Sequence, residues 1–120
     1  MVEDSESDRV LVKESFEHYN YNIDLEYAED VKEALIYLNN EKLPDLILLD
    51  LNLPKVSGFE LLRKLKKDKN FKEIPVIILT ASNNVSHIKM AYNLYANSYI
   101  SKPIDAENFL KYWFNVVELN

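Results

Sequence analysis

Two uninterrupted apolar runs, Leu46–Leu49 and Val76–Leu79, constrain the fold of this chain more than any other feature. A strand with one face in water alternates apolar and polar residues, whereas a strand covered on both faces is apolar throughout. Stretches with helical apolar spacing, such as Val31, Ala34, Leu35 and Leu38, separate such runs. The pattern predicts an α/β fold, a doubly wound parallel sheet with helices on both faces.

Capping patterns and strand propensity indicate the other elements. Asp30 with Glu33, and Ser57 with Glu60, are spaced as capping boxes at the starts of two helices. The predicted strands are Ile23–Tyr27, Asp45–Leu49, Val76–Leu79 and Ser98–Ser101. The predicted helices run from about Val31 to Asn39, from Ser57, from about Val85 to Tyr95, and from a cap at Asp105, the last with Phe109, Leu110, Trp113 and Val117 on its apolar face.

Composition excludes several classes of function. The chain has 120 residues, which fits a single domain, and it contains no cysteine for disulfides, thiolate metal sites or cysteine nucleophiles. Its 20 acidic and 14 basic residues give a net charge of −6, which opposes nucleic-acid binding. No apolar stretch approaches the roughly 20 residues that cross a bilayer. We therefore expect a cytoplasmic protein that binds neither nucleic acid nor membrane.

Polar residues stand where the predicted strands end. Glu3 and Asp4 precede the first helix, Asp50 and Thr80 close the two apolar runs, and Lys102 follows Ser98–Ser101. The carboxyl ends of parallel strands share one edge of the sheet, where ligands bind. These side chains are therefore expected to meet there.

Such a group suits phosphoryl transfer. Clustered carboxylates repel one another unless a cation lies among them, and an all-oxygen set favours Mg²⁺. Lys102 and Thr80 would add a positive charge and a hydroxyl for the transferring group. The Asp50 carboxylate would be the nucleophile and would form an acyl phosphate.

Each residue also has an ordinary structural interpretation. Asp50 could cap a turn, Thr80 could be a β-branched strand residue, and Lys102 could be a loop residue. Glu3 and Asp4 could be a solvated charge pair. Only their joint placement at successive strand ends favours the functional interpretation.

The ordered motifs resemble a response regulator receiver domain (CheY-like) over nearly the whole chain. They are Val2-Glu3-Asp4, Pro44 to Pro54 around Asp50, Gly58-Phe59-Glu60-Leu61-Leu62, Ile74 to Ser82 around Thr80, and Ser101-Lys102-Pro103. Ala96-Asn97-Ser98-Tyr99 and the Asn70-to-Pro75 approach are similar to small single-domain regulators that partner phytochrome-like histidine kinases.

The resemblance implies a flavodoxin-like five-stranded parallel sheet of order 2-1-3-4-5, in one domain over residues 1–120 with no output domain. It implies roles for the motif residues: Asp50 as phosphoacceptor; Glu3, Asp4, Asp50 and the backbone carbonyl of Asn52 as Mg²⁺ ligands; Thr80 and Lys102 as catalytic partners; Thr80 and Tyr99 as switch residues; Asn52 and Ser82 as residues that tune the dephosphorylation rate.

The implied function is two-component phosphorelay signalling rather than enzymatic turnover. A sensor histidine kinase would phosphorylate Asp50, and the domain would assist its own phosphorylation and autodephosphorylation. The modified domain would change its affinity for a downstream protein or phosphotransfer protein, or for a second copy through Val85–Val117. Two alternatives are a phosphorylation-independent interaction module and an aspartate-nucleophile phosphohydrolase. Phosphohydrolases of this class use a second acidic residue, two positions after the nucleophile, as the acid/base. This chain has Asn52 at that position.

The chain departs from the family pattern at two positions. Tyr95 stands where the family usually has glycine, and a non-glycine residue at positive φ would be strained. Only Met1 and Val2 precede the acidic pair, where the family has a central apolar strand. Losing about four buried side chains would cost on the order of 6–12 kcal/mol, comparable to a domain's whole stability of about 5–15 kcal/mol. We therefore expect upstream residues to be missing from this sequence, or another segment, such as a swapped strand, to fill the gap.

Two further sets of residues have open interpretations. Tyr112 and Phe114 fall partly off the apolar stripe of the last helix, so they are either a partner surface or extra packing. His18 and His87 have no second histidine or cysteine at ligand spacing and are expected to be helix-surface or loop residues.

Overall fold

A computed structural model describes residues 1–19, 23–40, 42–102 and 106–117. The elements are α1 (Glu6–His18), α2 (Val31–Asn40), β1 (Ile47–Leu49), α3 (Gly58–Lys67), β2 (Val76–Thr80), α4 (Val85–Asn93), β3 (Ser98–Ser101) and α5 (Ala106–Val117). From α2 onward, helices alternate with strands. None of the helices in these ranges is long and apolar enough to span a membrane.

The sheet is parallel and buried on both faces, as the apolar runs predicted. Its strands are hydrogen-bonded in the order β1-β2-β3, and every residue of β1 and β2 is buried. Leu49 and Ile78 belong to one apolar cluster, which also contains buried residues of α2 and α3. Leu48 and Ile77 belong to the other, with buried residues of α1 and α5. Alternate strand residues therefore serve two separate cores, which explains why both runs lack polar residues.

The first residues of the chain complete the centre of the sheet. Val2 forms parallel bridges to Ala28 on one side and to Leu49 on the other. Its N–H donates to the carbonyl of Leu48 (2.7 Å), and its carbonyl accepts from the N–H of Asp50 (3.0 Å). The order across the sheet is thus Ala28, Val2, β1, β2, β3, which follows the expected 2-1-3-4-5 sequence. Val2 and Ala28 contribute isolated bridges to the sheet and not strands.

The prediction of a strand at Ile23–Tyr27 is wrong. No strand is assigned there, and in the described residues no strand lies between this segment and the stretch that leads into β1. An open groove of about 920 Å³ occupies that position, and its lining includes Leu25, Leu46, Trp113 and Phe114. Met1 bonds only the end of this segment, where its N-terminal ammonium donates to the carbonyl of Glu26 (2.8 Å), so Ile23–Tyr27 is not part of a ladder.

The predicted caps are confirmed in part. The Asp30 carboxylate accepts from the N–H of Glu33 (2.8 Å), and the Ser57 hydroxyl accepts from the N–H of Phe59 (3.2 Å). The Glu60 carboxylate forms an ion pair with Arg63, one turn along the helix, and this is the contact its side chain makes instead of closing a capping box with Ser57. The predicted cap Asp105 lies outside the described residues.

The last helix is anchored by its aromatic residues. Phe109 is buried, and Phe16 of α1 packs edge-on against it and against Trp113, at centroid distances of 5.5 and 5.0 Å. Phe114 is half-buried and packs on the same cluster, so the packing interpretation holds for it. Tyr112 is exposed, so its role at a partner surface stays a prediction. The side chain of Val117 lies outside the described residues.

Tyr95 is in the left-handed conformation although it is not a glycine. Its φ is 68°, and its side chain is 76% exposed. Helix α4 ends two residues earlier, at Asn93, so the prediction that it continues to Tyr95 is two residues too long.

Candidate functional site

Asp50 lies at the carboxyl end of the sheet, directly after β1, with its side chain 7% exposed. Its two carboxylate oxygens have different partners. Oδ1 accepts from the backbone N–H of Asn52 (3.0 Å), and Oδ2 accepts from the ammonium of Lys102 (3.2 Å). The first residue of helix α3 contacts the backbone that follows Asp50, where the N–H of Gly58 donates to the carbonyl of Leu51 (3.0 Å). Each oxygen of the carboxylate is therefore held by a hydrogen bond.

Lys102 reaches the site from the end of β3. Its backbone N–H donates to the carbonyl of Thr80 (2.7 Å), and this bond fixes the position of the Lys102 backbone beside the end of β2. Its Nζ contacts the carboxylates of Glu3, Asp8 (2.7 Å) and Asp50 (3.2 Å). Burial alone would lower the pKa of Lys102, but the three carboxylates outweigh it and hold the pKa above its ordinary value. Lys102 is therefore charged at any physiological pH.

Glu3, Asp4 and Asp50 form a compact carboxylate group. One oxygen of each lies within 4.8 Å of the others. Glu3 is fully buried, Asp50 is buried and Asp4 is exposed, so the group opens to solvent on one side. Burial, and next a hydrogen bond with Asp50, raise the pKa of Glu3 to about 7 against the opposing effect of Lys102.

This donor set fits a divalent cation. Clustered carboxylates repel one another, and a shared positive charge relieves that repulsion. Oxygen donors that are open to water suit Mg²⁺, which keeps part of its hydration shell. The predicted ligands Glu3, Asp4 and Asp50 are thus brought together. The role of the Asn52 carbonyl stays a prediction.

Thr80 and Asn52 meet beside the carboxylate group. Thr80 is fully buried at the end of β2, and its Oγ1 accepts a long hydrogen bond from Nδ2 of Asn52 (3.4 Å). Because the N–H of Asn52 also binds Asp50, this residue links the hydroxyl to the carboxylate. The structure therefore brings Glu3, Asp4 and Lys102 to Asp50 and links Thr80 to it through Asn52, as their positions in the sequence led us to expect.

The remaining predicted residues, Tyr99 and Ser82, contact each other. Tyr99 is buried, and its hydroxyl donates to the backbone carbonyl of Ser82 (2.7 Å). The hydroxyl of Ser82 lies 2.8 Å from Nδ1 of His87. His87 also packs edge-on against Phe59, with 5.6 Å between ring centroids. Ser82 thus connects β3 to α4.

Sequence reasoning missed two participants, Asp8 and His87. Asp8 is in the first turn of α1, and its N–H is bonded by Ser5, the helix N-cap (3.3 Å). The Ser5-to-Asp8 spacing makes Asp8 look like a capping acid, which hides its contact with Lys102 on a distant strand. The sequence predicts a helix-surface or loop position for His87, because no local pattern indicates a contact between its ring and the hydroxyl of Ser82.

Comparison with known proteins decides the family. The family model described as "Response regulator receiver domain" matches residues 1–113. The chain belongs to this family. Receiver domains of two-component systems act as signalling phosphoacceptors, and they partner histidine kinases.

Individual relatives agree with this assignment. The chain is 36% identical to the "Probable methanogenesis regulatory protein FilR2" of Methanothrix harundinacea, over 90% of this receiver domain and 73% of that protein. It is 34% identical to "Response regulator Rcp1" of Synechocystis sp., over 99% and 90% of the two chains. The crystal structure of the Mn²⁺-bound form of Rcp1 matches with a TM-score of 0.81, covering 92% of this chain and 84% of that one.

A second solved structure is similar to the same extent. It is the phosphorylated cyanobacterial phytochrome response regulator RcpA, which is 37% identical, with a TM-score of 0.81 and coverage of 92% and 83% of the two chains. The resemblance to regulators that partner phytochrome-like kinases is therefore confirmed at the level of structural neighbours.

Proposed function

We propose that this receiver domain accepts a phosphoryl group on Asp50 from the phosphohistidine of a sensor histidine kinase, and that the modified domain changes its affinity for a protein partner. A cytoplasmic location is part of the proposal. The observation that carries it is the environment of the Asp50 carboxylate. This carboxylate lies 3.2 Å from Nζ of Lys102, forms one group with Glu3 and Asp4, and is linked through Asn52 to the hydroxyl of Thr80.

The chemical step is an in-line displacement at phosphorus. One carboxylate oxygen of Asp50 attacks the phosphorus atom, the P–N bond to the donor imidazole breaks, and the imidazole nitrogen keeps the electron pair. The product is an acyl phosphate. Transfer of this kind depends mainly on positioning and on charge neutralisation, which the side chains around Asp50 supply.

The residues around Asp50 have separate tasks in this step. Glu3, Asp4 and Asp50 would hold Mg²⁺, which neutralises charge on the phosphoryl oxygens when bound. Lys102 keeps a second positive charge beside the same oxygens. The hydroxyl of Thr80, now bonded to Asn52, would turn to donate to the phosphoryl group.

The response would reach the surface through Tyr99 and Ser82. A movement of Thr80 shifts the end of β2, and Ser82 follows only two residues later. Ser82 bonds both Tyr99 and His87, so its displacement would alter the packing of α4 against β3. We propose the Val85–Val117 face as the surface that a downstream protein, a phosphotransfer protein or a second copy reads. In the same proposal, Asn52 and Ser82 set how quickly Asp50 loses the group.

The test is phosphorylation by acetyl phosphate, with and without Mg²⁺, followed by intact-mass measurement. The expected result is a gain of one phosphoryl group that requires Mg²⁺ and is abolished by Asp50→Asn. Asp45→Asn is the matched control, because Asp45 is an exposed aspartate just before the same strand. It should be phosphorylated like the wild type.

Other outcomes identify the competing functions. A folded protein that gains no phosphate with Mg²⁺ present would favour a phosphorylation-independent module. Sustained hydrolysis of small phosphate monoesters would favour a phosphohydrolase. The kinase partner is then identified by transfer from purified phosphorylated histidine kinases, with the Asp50→Asn variant as the negative control.

A further inference from the structure

The ammonium of Lys102 has one carboxylate partner that lies outside the cation-binding group. It contacts Glu3, Asp8 and Asp50, so each of its three N–H donors can have an acceptor. Glu3 and Asp50 belong to the carboxylate group that fits a divalent ion, whereas Asp8 does not. The contact with Asp8 is therefore the one that a bound cation leaves in place.

Asp8 is well placed to hold a flexible side chain. It sits in the first turn of α1, where Ser5 caps the helix by accepting from its N–H (3.3 Å). Its Oδ2 lies 2.7 Å from Nζ of Lys102, which is closer than the 3.2 Å to Asp50. A lysine has a four-carbon stem with many rotamers, and ordering it costs conformational entropy. A fixed acceptor on a helix removes much of that freedom before the reaction begins.

We infer that Asp8 is a positioning residue, which keeps the ammonium of Lys102 beside Asp50 during phosphoryl transfer. The inference rests on the proposed function. When Glu3 and Asp50 bind a cation, their negative charge is shared with it and their hold on Lys102 weakens. Asp8 then anchors the ammonium by one N–H and leaves the other two for the oxygens of the phosphoryl group.

Asp8 also adds negative charge near an incoming anion, and this repulsion acts against phosphorylation. The position of Asp8 reduces that repulsion. It lies at the N-terminus of α1, where the positive end of the helix dipole offsets part of its charge. Asp8 bonds Nζ of Lys102 directly, at 2.7 Å, so we expect positioning to outweigh repulsion.

The experiment compares Asp8→Ala, Asp8→Asn and the wild type at saturating Mg²⁺ and acetyl phosphate. Asp8→Ala is expected to slow phosphorylation of Asp50 by roughly three- to tenfold, since a positioned charge-assisted hydrogen bond is lost at a partly exposed site. Asp8→Asn keeps an oxygen acceptor and should recover part of the rate. The Mg²⁺ concentration for half-maximal rate should change by less than about twofold. Glu6→Ala is the matched control, an exposed acid in the same turn, and should leave the rate unchanged.

A double-mutant cycle separates positioning from a general structural effect. In a Lys102→Ala background, Asp8→Ala should cause no further loss of rate, because the residue acts through Lys102. A further loss of the same size as in the wild-type background would overturn the inference. So would an Asp8→Ala protein that reacts as fast as the wild type, or faster.

A second measurement does not depend on phosphorylation. The Cε resonance of Lys102, identified by its disappearance in Lys102→Ala, is followed by NMR with Mg²⁺ and without a phosphoryl donor. In Asp8→Ala it should move toward the position of exposed lysines, and an unchanged resonance would overturn the inference. Failure of the wild type to take up phosphate would instead overturn the proposed function, so the two failures are distinguishable.

Discussion

The hydroxyl of Tyr99 donates a hydrogen bond to the backbone carbonyl of Ser82, with 2.7 Å between the oxygens. The ring is buried and belongs to the apolar cluster on one face of the sheet. The family resemblance implies an aromatic that turns inward when the switch hydroxyl moves. In this structure the ring is already inward, and its hydroxyl holds the segment that follows β2. Tyr99 therefore fixes one position of that segment.

Tyr99→Phe should lower the free energy of unfolding by about 1 kcal/mol, because it removes this bond and leaves the carbonyl of Ser82 without that donor. Urea denaturation measures the change. Tyr112→Phe is the control, since Tyr112 is exposed and should tolerate the loss of its hydroxyl. If the two variants lost the same free energy of unfolding, the bond between Tyr99 and Ser82 would contribute nothing specific to stability.

Binding of Mg²⁺ should weaken as the pH falls below about 7. Burial, together with Asp50, raises the pKa of Glu3 from 4.5 to about 7 in the metal-free protein. The folded protein therefore holds a proton that the unfolded chain has released between these values, so this group's contribution to stability falls as the pH rises through that window. Mg²⁺ needs the deprotonated carboxylate, so below about pH 7 its binding must displace the proton.

Isothermal titration calorimetry at about pH 6 and about pH 8 tests this expectation. The dissociation constant should rise by up to about tenfold for each pH unit below 7, and proton release should appear as a dependence on the buffer's ionisation enthalpy. Glu3→Gln should bind more weakly but with no such pH dependence. Identical affinities at both pH values in the wild type would contradict the assignment of Glu3 as the group that titrates.

The central part of the site could be predicted because it depends on where strands end. The apolar runs before Asp50 and Thr80 mark strands covered on both faces, and parallel strands bring their carboxyl ends to one edge. That rule places Lys102 as well. It needs no knowledge of loop conformation, which is why these three residues were found from sequence.

Other features could not be predicted because they depend on contacts between distant segments. Ile23–Tyr27 has the residues of a strand, but strand formation needs a neighbour, and the neighbour here is reduced to a bridge at Val2. Asp8 reaches Lys102 across 94 positions of sequence, and no local pattern distinguishes that contact from ordinary capping. Such interactions are determined only when the sheet brings the segments together.

Gly58→Ala should destabilise the protein although it replaces glycine by the best helix former. A Cβ at Gly58 would lie 2.3 Å from the backbone oxygen of Asp50 and 2.8 Å from Cα of Leu51. Backbone atoms cannot move aside as a side chain can, so the start of α3 must shift. We expect a loss of about 1–3 kcal/mol in the free energy of unfolding, with slower phosphorylation of Asp50.

Lys67→Ala at the exposed C-terminal end of α3 is the control for Gly58→Ala, and it should leave stability within about 0.5 kcal/mol. Thermal and urea denaturation of the two variants give the comparison. A gain in stability for Gly58→Ala, which helix propensity alone predicts, would mean that the close approach of α3 to Asp50 is not a constraint.

Tyr95→Gly should stabilise the protein. The turn after α4 is a Schellman motif, in which the N–H of Ala96 bonds the carbonyl of Ala91 (3.0 Å) and the N–H of Tyr95 bonds that of Tyr92 (3.0 Å). This motif places Tyr95 at a φ of 68°, where a side chain costs about 1 kcal/mol relative to glycine. The side chain is mostly exposed, so its removal loses little packing. We expect the free energy of unfolding to rise by about 1 kcal/mol.

The matched control is Tyr92→Gly, one turn earlier on the exposed side of α4, which should lower the free energy of unfolding by about 1 kcal/mol. The same substitution thus has opposite signs at two exposed tyrosines, because one is at positive φ and the other is helical. If Tyr95→Gly destabilised the protein as much as Tyr92→Gly, the phenol ring would have to contribute contacts that outweigh the relief of strain.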